Sequence, residues 1–363
     1  MSQPEPSPRA RDLGIPFEGT PGPLNAITDV AGVEVGHTTL IRGDGPLRVG
    51  EGPVRTGVTA ILPRGRTGLD PCFAGWFSLN GNGELTGTAW IDEAGILDAL
   101  ILLTNTHSVG IVRDAALAWL LQRHGLHNPD MPWFLPVVGE TWDGMLNDIN
   151  GFHVKNEHVF AALDGARPGR VEEGNVGGGT GMICYRFKGG IGTASRVVPA
   201  GNEKYTLGVL VQANHGSQHQ LRIAGVPIGI QLRQAPGKPS AQHTGSILIV
   251  IATDAPLLPH HLKAVAKRAG LGMARTGGIA ALTSGDLFVA FSTANAKAIG
   301  RPQTATVTVI GSDHLSGLYE ATVQATEEAI VNALIAARTM SGINGYTVEA
   351  LPHKEVRQMF RKQ

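Results

Sequence analysis

The chain of 363 residues is 42% hydrophobic, which is enough for a large buried core in one large domain or two ordinary ones. Its 30 basic and 30 acidic residues cancel, so charge gives no reason to expect nucleic acid or an anionic membrane as a partner. Two cysteines indicate no disulfide framework, no signal-peptide core is visible, and no window approaches about 18 consecutive apolar residues. We therefore expect a cytoplasmic protein with no membrane-spanning segment.

The first half of the chain is predicted to contain short strands and two helices. After a Pro-rich arm at residues 1–24, short apolar runs alternate with glycine turns, as is typical of a mostly antiparallel sheet. These runs lie at residues 33–35, 57–62 and 73–76. Helices are predicted at about 92–103 and 112–124, and the second repeats apolar residues at helical spacing along one face.

The second half changes character at residue 246. A strand-rich block at 182–230 is followed by residues 233–245, which contain no large apolar side chain and predict an exposed connection. The apolar run that follows, 246–252, suits a strand buried on both faces. Further elements are predicted as a helix at about 259–270, a strand at 287–292 and a helix at about 316–340. Elements in blocks favour layered sheets with helices outside over a doubly wound parallel fold.

Gly245 and Ser246 mark the boundary between the polar connection and the apolar strand. Glycine adopts backbone angles that strain other residues, which would let the Ser246 hydroxyl attack the preceding carbonyl and form an ester. Hydrolysis of the ester would leave an α-amine with a pKa of about 8, able to serve as base or to bind substrate. Thr-Gly-Ser is also a common turn before a strand, so both interpretations stay open from these residues alone.

Long ordered segments of the chain match a known family. The segments are RDLGIP at 11–16, NAITDV at 25–30, LNGNGELTG at 79–87, GETWDG at 139–144, EGNVGGGTG at 173–181, GIGTASR at 190–196, the junction at 245–246, and SGDLFVAFST at 284–293. Over nearly its whole length the chain resembles the L-aminopeptidase/D-amidase-esterase family, also called the DmpA-type β-aminopeptidases.

The resemblance implies both a fold and a maturation. The fold would be α+β, a single domain over residues 1–363 built as a four-layer αββα sandwich, similar to N-terminal-nucleophile hydrolases but differently connected. Members cut their precursor before the nucleophilic serine, which implies an α chain of residues 1–245 and a β chain of 246–363 that stay associated. A tetramer of αβ units is implied as well.

The resemblance also implies the catalytic residues. Ser246 matches the nucleophile, and Ser284 and Asp286 match a Ser-Gly-acid element in which the serine relays between nucleophile and carboxylate. Some relatives carry Glu at the acid position, so the carboxylate here is shorter. Asn214 matches the asparagine of the oxyanion hole. Without the resemblance these segments would be interpreted as turns. The general base could be either the Ser246 amine or the Ser284–Asp286 pair.

Two further residues are implied to bind substrate. Glu140 matches a carboxylate that binds the substrate's free ammonium, which implies an aminopeptidase. Trp142 lies where an aromatic pocket wall is implied, and relatives have Tyr there, a difference that bears on substrate size. The implied reaction removes a small L-, D- or β-amino acid from the N-terminus of small peptides, amides or esters through an acyl-enzyme on Ser246.

No cofactor or metal is predicted. The glycine-rich residues 174–181 fit neither the dinucleotide-binding nor the P-loop pattern. His215 and His219 are four residues apart, but the glutamate of the zinc-protease motif is missing. Two alternative functions stay open: an acyltransferase with a self-generated nucleophile, and a non-catalytic binding protein of the same fold. Competition between an acyl acceptor and water would identify the first.

Overall fold

The computed structural model describes residues 7–125, 133–232, 245–299 and 303–361. Its strands are β1 (Glu34–Arg42), β2 (Val54–Leu62), β3 (Cys72–Gly81), β4 (Ile96–Leu97), β5 (Ile101–Asn105), β6 (Val137–Thr141), β7 (Ile183–Cys184), β8 (Phe187–Lys188), β9 (Gly190–Ala200), β10 (Glu203–Asn214), β11 (Ser246–Thr253), β12 (Gly285–Ser292), β13 (Met340–Ser341) and β14 (Thr347–Val348). Its helices are α1 (Thr88–Ala94), α2 (Val109–His124), α3 (Asn156–Asp164), α4 (Ile228–Gln231), α5 (Pro259–Arg275), α6 (Leu315–Ala336) and α7 (His353–Arg361). Within these ranges no helix has the length and apolar character to cross a membrane.

Two sheets contain ten of these strands. One sheet has the order β1-β2-β5-β6 and the other β4-β3-β12-β11-β10-β9. Neighbours pair antiparallel except β5 with β6 and β11 with β12. The pairing confirms a mostly antiparallel architecture and places β11 in the centre of the larger sheet.

The sheets stack face to face between two layers of helices. Along β11, Ile247 and Ile249 face a core shared with α5 and α6, whereas Leu248 and Val250 face a core shared with the smaller sheet. The outer face of the smaller sheet packs against α2 and α3, for example through Trp119. This arrangement is the predicted αββα sandwich. Because side chains alternate between the two faces of a strand and both faces of β11 are buried, an apolar residue is required at every position in its centre.

The predicted helix at about 92–103 is wrong. Helix α1 ends at Ala94 because Gly95 adopts a left-handed conformation with φ of 68°, a common helix stop, and the apolar residues after it form β4 and β5. The last long helix ends at Ala336 rather than 340, since Ala337 is extended. The other predicted helices and strands are confirmed with shifted ends. Residues 1–6 of the arm and 233–244 of the connection lie outside the described residues.

Candidate active site

Ser246 is the first residue of β11 and is only 5% exposed. It pairs with Asn214 at the end of β10 and with Gly285 at the start of β12. The Gly285 N–H lies 3.4 Å from Ser246 Oγ and donates to the Gly245 carbonyl oxygen at 3.1 Å. One backbone donor therefore faces both the hydroxyl and the carbonyl that precedes it. The sequence carries no signal for this donor, because it belongs to the main chain.

Gly245 lies in a slot beside the end of β10. A Cβ atom on this residue would lie 3.0 Å from the Asn214 carbonyl oxygen and 3.0 Å from His215 Cα. Both neighbours are backbone atoms, which cannot move aside as a side-chain tip can. Glycine is therefore the residue that fits before Ser246 without displacing β10.

The side-chain amide of Asn214 is held in one orientation. Its Oδ1 accepts from the Ile183 N–H at 2.7 Å, and its Nδ2 donates to the Trp142 carbonyl at 2.9 Å. A backbone N–H only donates and a carbonyl only accepts, so the alternative amide flip is excluded. Among the described residues, the second Nδ2 hydrogen has no acceptor. The Asn214 side chain lies on the face toward the smaller sheet, since Gln212, two residues earlier, donates to the Thr104 carbonyl of that sheet.

Glu140 contributes a buried carboxylate from β6, with 4% of the residue exposed. Its Oε1 accepts from the Glu84 N–H at 3.1 Å, and its Oε2 accepts from the Thr106 hydroxyl. Burial raises the pKa of Glu140, and these two hydrogen bonds partly oppose that rise. A Cβ built on Gly83 would lie 3.1 Å from Glu140 Oε1 and 3.4 Å from Gly285 Cα. The carboxylate and the start of the strand bearing the Gly285 donor therefore both lie beside Gly83.

Trp142 lies two residues beyond Glu140 and is partly exposed. Its ring covers Gly144, where a Cβ atom would lie 2.5 Å from the ring, and its carbonyl accepts from Asn214. The structure thus brings Trp142 to the same end of the sheets as Ser246, Asn214 and Glu140.

Ser284 and Asp286 form a hydrogen-bonded pair that spans Gly285. Ser284 Oγ donates to Asp286 Oδ1 at 2.7 Å. Burial raises the pKa of Asp286 to about 6, against the opposing effect of the Ser284 hydroxyl. Both residues line a pocket with Met273 of α5, on the helix side of the larger sheet. Within the described ranges neither hydrogen bonds to Ser246 Oγ, which accepts from the Gly285 N–H.

The glycine-rich residues 174–181 pack as a turn between the two sheets. A Cβ atom on Gly178 would lie 2.1 Å from Gln212 Oε1 and 2.6 Å from the Leu103 carbonyl. The glycines therefore allow the backbone of this turn to lie close to both sheets, next to the strand that carries Asn214. Thr106 and the Glu84 N–H were missed by sequence reasoning, because neither lies in a pattern that points to Glu140.

Comparison with known proteins identifies the family of this chain. The model of peptidase family S58 matches residues 25–348. The beta-peptidyl aminopeptidase BapA of Sphingosinicella microcystinivorans is 54% identical over an alignment of 370 positions, which covers 98% of this chain and 92% of that protein. The structure of a Burkholderia sp. beta-aminopeptidase is 49% identical with a TM-score of 0.87, over 98% of this chain and 99% of that one.

A third similar protein is the L-aminopeptidase D-Ala-esterase/amidase of Ochrobactrum anthropi, described as a prototype for the serine aminopeptidases and a new variant among the Ntn hydrolase fold. Its structure is 46% identical with a TM-score of 0.90, and the match covers 98% of each chain. These matches confirm the family resemblance and the four-layer fold. The chain belongs to peptidase family S58.

Proposed function

We propose that this protein is a self-processing serine aminopeptidase that releases the N-terminal residue of small peptides, amino-acid amides and esters through an acyl-enzyme on Ser246. One observation carries the proposal: the Gly285 N–H faces both Ser246 Oγ and the Gly245 carbonyl, and Gly83 lies beside both Gly285 and the Glu140 carboxylate. The aminopeptidase names of the relatives support the same reaction class.

Self-cleavage uses the arrangement of the uncleaved chain. Ser246 Oγ attacks the Gly245 carbonyl carbon, whose oxygen accepts from the Gly285 N–H, and that N–H offsets the negative charge developing on the oxygen. The Gly245–Ser246 C–N bond breaks, and its nitrogen leaves as the Ser246 α-amine after taking up the hydroxyl proton. Water then hydrolyses the ester, leaving a carboxylate on Gly245 and a free hydroxyl on Ser246.

The same groups serve the mature enzyme. The Ser246 α-amine takes the hydroxyl proton as Oγ attacks the substrate carbonyl, because the amine is on the same residue and has a pKa suited to a base. The Gly285 N–H and Asn214 Nδ2 stabilise the oxyanion. Glu140 binds the substrate's ammonium. The Ser284–Asp286 pair braces the turn that presents the Gly285 N–H.

Residues 1–245 and 246–363 are expected to stay associated after cleavage. Strands β11 and β12, from the second fragment, lie between β10 and β3 of the first in one sheet. Separation of the two fragments would expose both edges of the β11–β12 pair and the two hydrophobic cores that this pair shares with the first fragment. The tetramer of αβ units stays a prediction.

Gly245→Ala is expected to slow self-cleavage by roughly tenfold, because its methyl group would press on β10 and displace the scissile carbonyl. The time course of the 38.1 kDa precursor, followed by mass spectrometry, measures this. Turnover per processed enzyme is expected to be unchanged, since the bond between residues 245 and 246 is already cleaved in the processed enzyme. Gly110→Ala, where a Cβ meets no atom within 4 Å, is the matched control. Unaltered cleavage of Gly245→Ala would contradict the steric role.

Glu140→Gln is expected to raise KM by about 10- to 100-fold, as one charge-assisted contact to the ammonium is lost. In the wild type, burial raises the pKa of Glu140 above 4.5, so acidification protonates it at a higher pH than an exposed glutamate. KM should therefore rise on acidification in the wild type but not in Glu140→Gln. The exposed Glu172→Gln is the control. A KM unchanged in Glu140→Gln would rule out the ammonium site.

Wild-type protein tests the proposal as a whole. Intact-mass spectrometry is expected to show two fragments that divide between residues 245 and 246. β-Alanyl p-nitroanilide should be hydrolysed, and its N-acetyl derivative, which lacks the ammonium, should not. Equal turnover of both would contradict an aminopeptidase. A single folded chain without turnover would favour the binding protein, and preferential transfer to an added acyl acceptor would favour the acyltransferase.

A further inference from the structure

Lys188, in β8, is fully buried with its ammonium among backbone carbonyls. Nζ donates to the carbonyl oxygens of Met182 at 2.7 Å, Gly189 at 2.9 Å and Gly179 at 3.4 Å. Three acceptors match the three hydrogens of an ammonium group. In the part of the chain that the structure describes, no carboxylate forms a salt bridge with Lys188.

The shortest of these contacts, with the Met182 carbonyl, connects Lys188 to the side-chain amide of Asn214. The Met182 carbonyl and the Ile183 N–H belong to the same peptide group, and that N–H donates to Asn214 Oδ1 at 2.7 Å. The Met182 carbonyl also accepts from the Gly189 N–H at 2.9 Å. Donation to a carbonyl polarises its peptide and strengthens the bond that the peptide N–H makes. Lys188, the peptide and Asn214 thus form one chain of hydrogen bonds.

Burying a lysine without a carboxylate partner lowers the stability of the folded state. Burial lowers the pKa of Lys188 to about 7, and the neighbouring Cys184 and Asp143 only partly oppose this. Closing a loop does not require a charge, because Thr180 does so nearby by donating its hydroxyl to the Gly177 carbonyl at 2.6 Å. Closing the loop therefore does not explain why a charged group is buried at this position.

We propose that Lys188 is a positioning residue of the oxyanion site, which acts through the Met182–Ile183 peptide to orient and polarise the Asn214 amide. The inference rests on the proposed function, in which Asn214 Nδ2 stabilises the oxyanion. The effect falls on the transition state, so it belongs to kcat rather than to KM.

A double-mutant cycle tests the coupling. Wild type, Lys188→Met, Asn214→Ala and the double variant are compared for kcat and KM on β-alanyl p-nitroanilide, normalised to the processed fraction after prolonged incubation. Thermal unfolding is recorded for each. Thr180→Val, which removes a buried hydrogen bond from the same loop without touching the 182–183 peptide, is the control.

Lys188→Met is expected to lower kcat about tenfold with KM within twofold, and to have no further effect in the Asn214→Ala background. Thr180→Val should leave kcat within about twofold of the wild type. Equal losses from Lys188→Met in both backgrounds, or no loss in the wild-type background, would overturn the proposal while leaving Asn214 in its role. An unchanged kcat in Asn214→Ala alone would instead remove Asn214 from the oxyanion site of the proposed function, and the positioning role of Lys188 would be overturned with it.

If Lys188→Met does not fold, Lys188→Gln replaces it in the cycle. Glutamine keeps two N–H donors for the carbonyls but removes the charge. The same comparison decides the outcome: a loss in kcat that disappears without Asn214 supports the positioning role, and a loss that persists contradicts it.

Discussion

Ser246→Ala is expected to remain one chain of 363 residues and to lose hydrolysis by at least about 10⁴-fold, because one hydroxyl serves both self-cleavage and turnover. No other hydroxyl forms a hydrogen bond to the Gly285 N–H within the described ranges, so no neighbour can substitute for it. Intact-mass spectrometry and nitroaniline release from β-alanyl p-nitroanilide measure the two losses.

Two further variants distinguish loss of the nucleophile from a general disruption of the fold. Ser246→Cys keeps a nucleophile at the same place and should retain some self-cleavage. Ser292→Ala removes a buried hydroxyl at the far end of β12, where it donates to the Ala255 carbonyl, and should process normally. Cleavage between residues 245 and 246 in folded Ser246→Ala would show that another group breaks the bond, and the proposed mechanism would be wrong.

The position of Ser246, the proposed nucleophile, is the part of the site most open to prediction from local sequence. A polar stretch that changes at Ser246 to an uninterrupted apolar run predicts a central strand, and β11 begins at that residue. An apolar run predicts this strand correctly because a strand buried on both faces needs apolar side chains at every position. At 92–103 the short apolar run is compatible with helix or strand, and periodicity does not distinguish the two.

The partners of Ser246 could not be derived from local sequence. Asn214, Ser284 and Asp286 each lie in segments that resemble ordinary turns, and they were assigned through the family resemblance. Their proximity follows from the strand order β12-β11-β10, which joins residues far apart in the chain. The Gly285 N–H is a main-chain group, and Lys188 reaches Asn214 through a peptide. Such roles depend on three-dimensional register, and residue type does not encode them.

Asn214→Ala is expected to lower kcat by about 10²- to 10³-fold with little change in KM, and to slow self-cleavage by a similar factor. The physical reason is that in the proposed mechanism Nδ2 and the Gly285 N–H share the negative charge that develops on the oxygen in both steps, and alanine leaves that charge to the Gly285 N–H alone. The processed fraction from intact-mass spectra and the rate per processed enzyme measure the two effects separately.

Loss of a buried amide also lowers the stability of the fold, so a matched variant is needed to separate this effect from catalysis. Asn332 provides it: its Oδ1 accepts from the Ala10 N–H and its Nδ2 donates to the Thr193 carbonyl, so it bridges two backbone groups as Asn214 does, but away from Ser246. Asn332→Ala should lower the unfolding temperature without changing kcat, whereas Asn214→Ala should do both. A similar fall in kcat for the two variants would mean that general destabilisation explains the loss. A kcat unaffected by Asn214→Ala would leave the Gly285 N–H as the oxyanion donor.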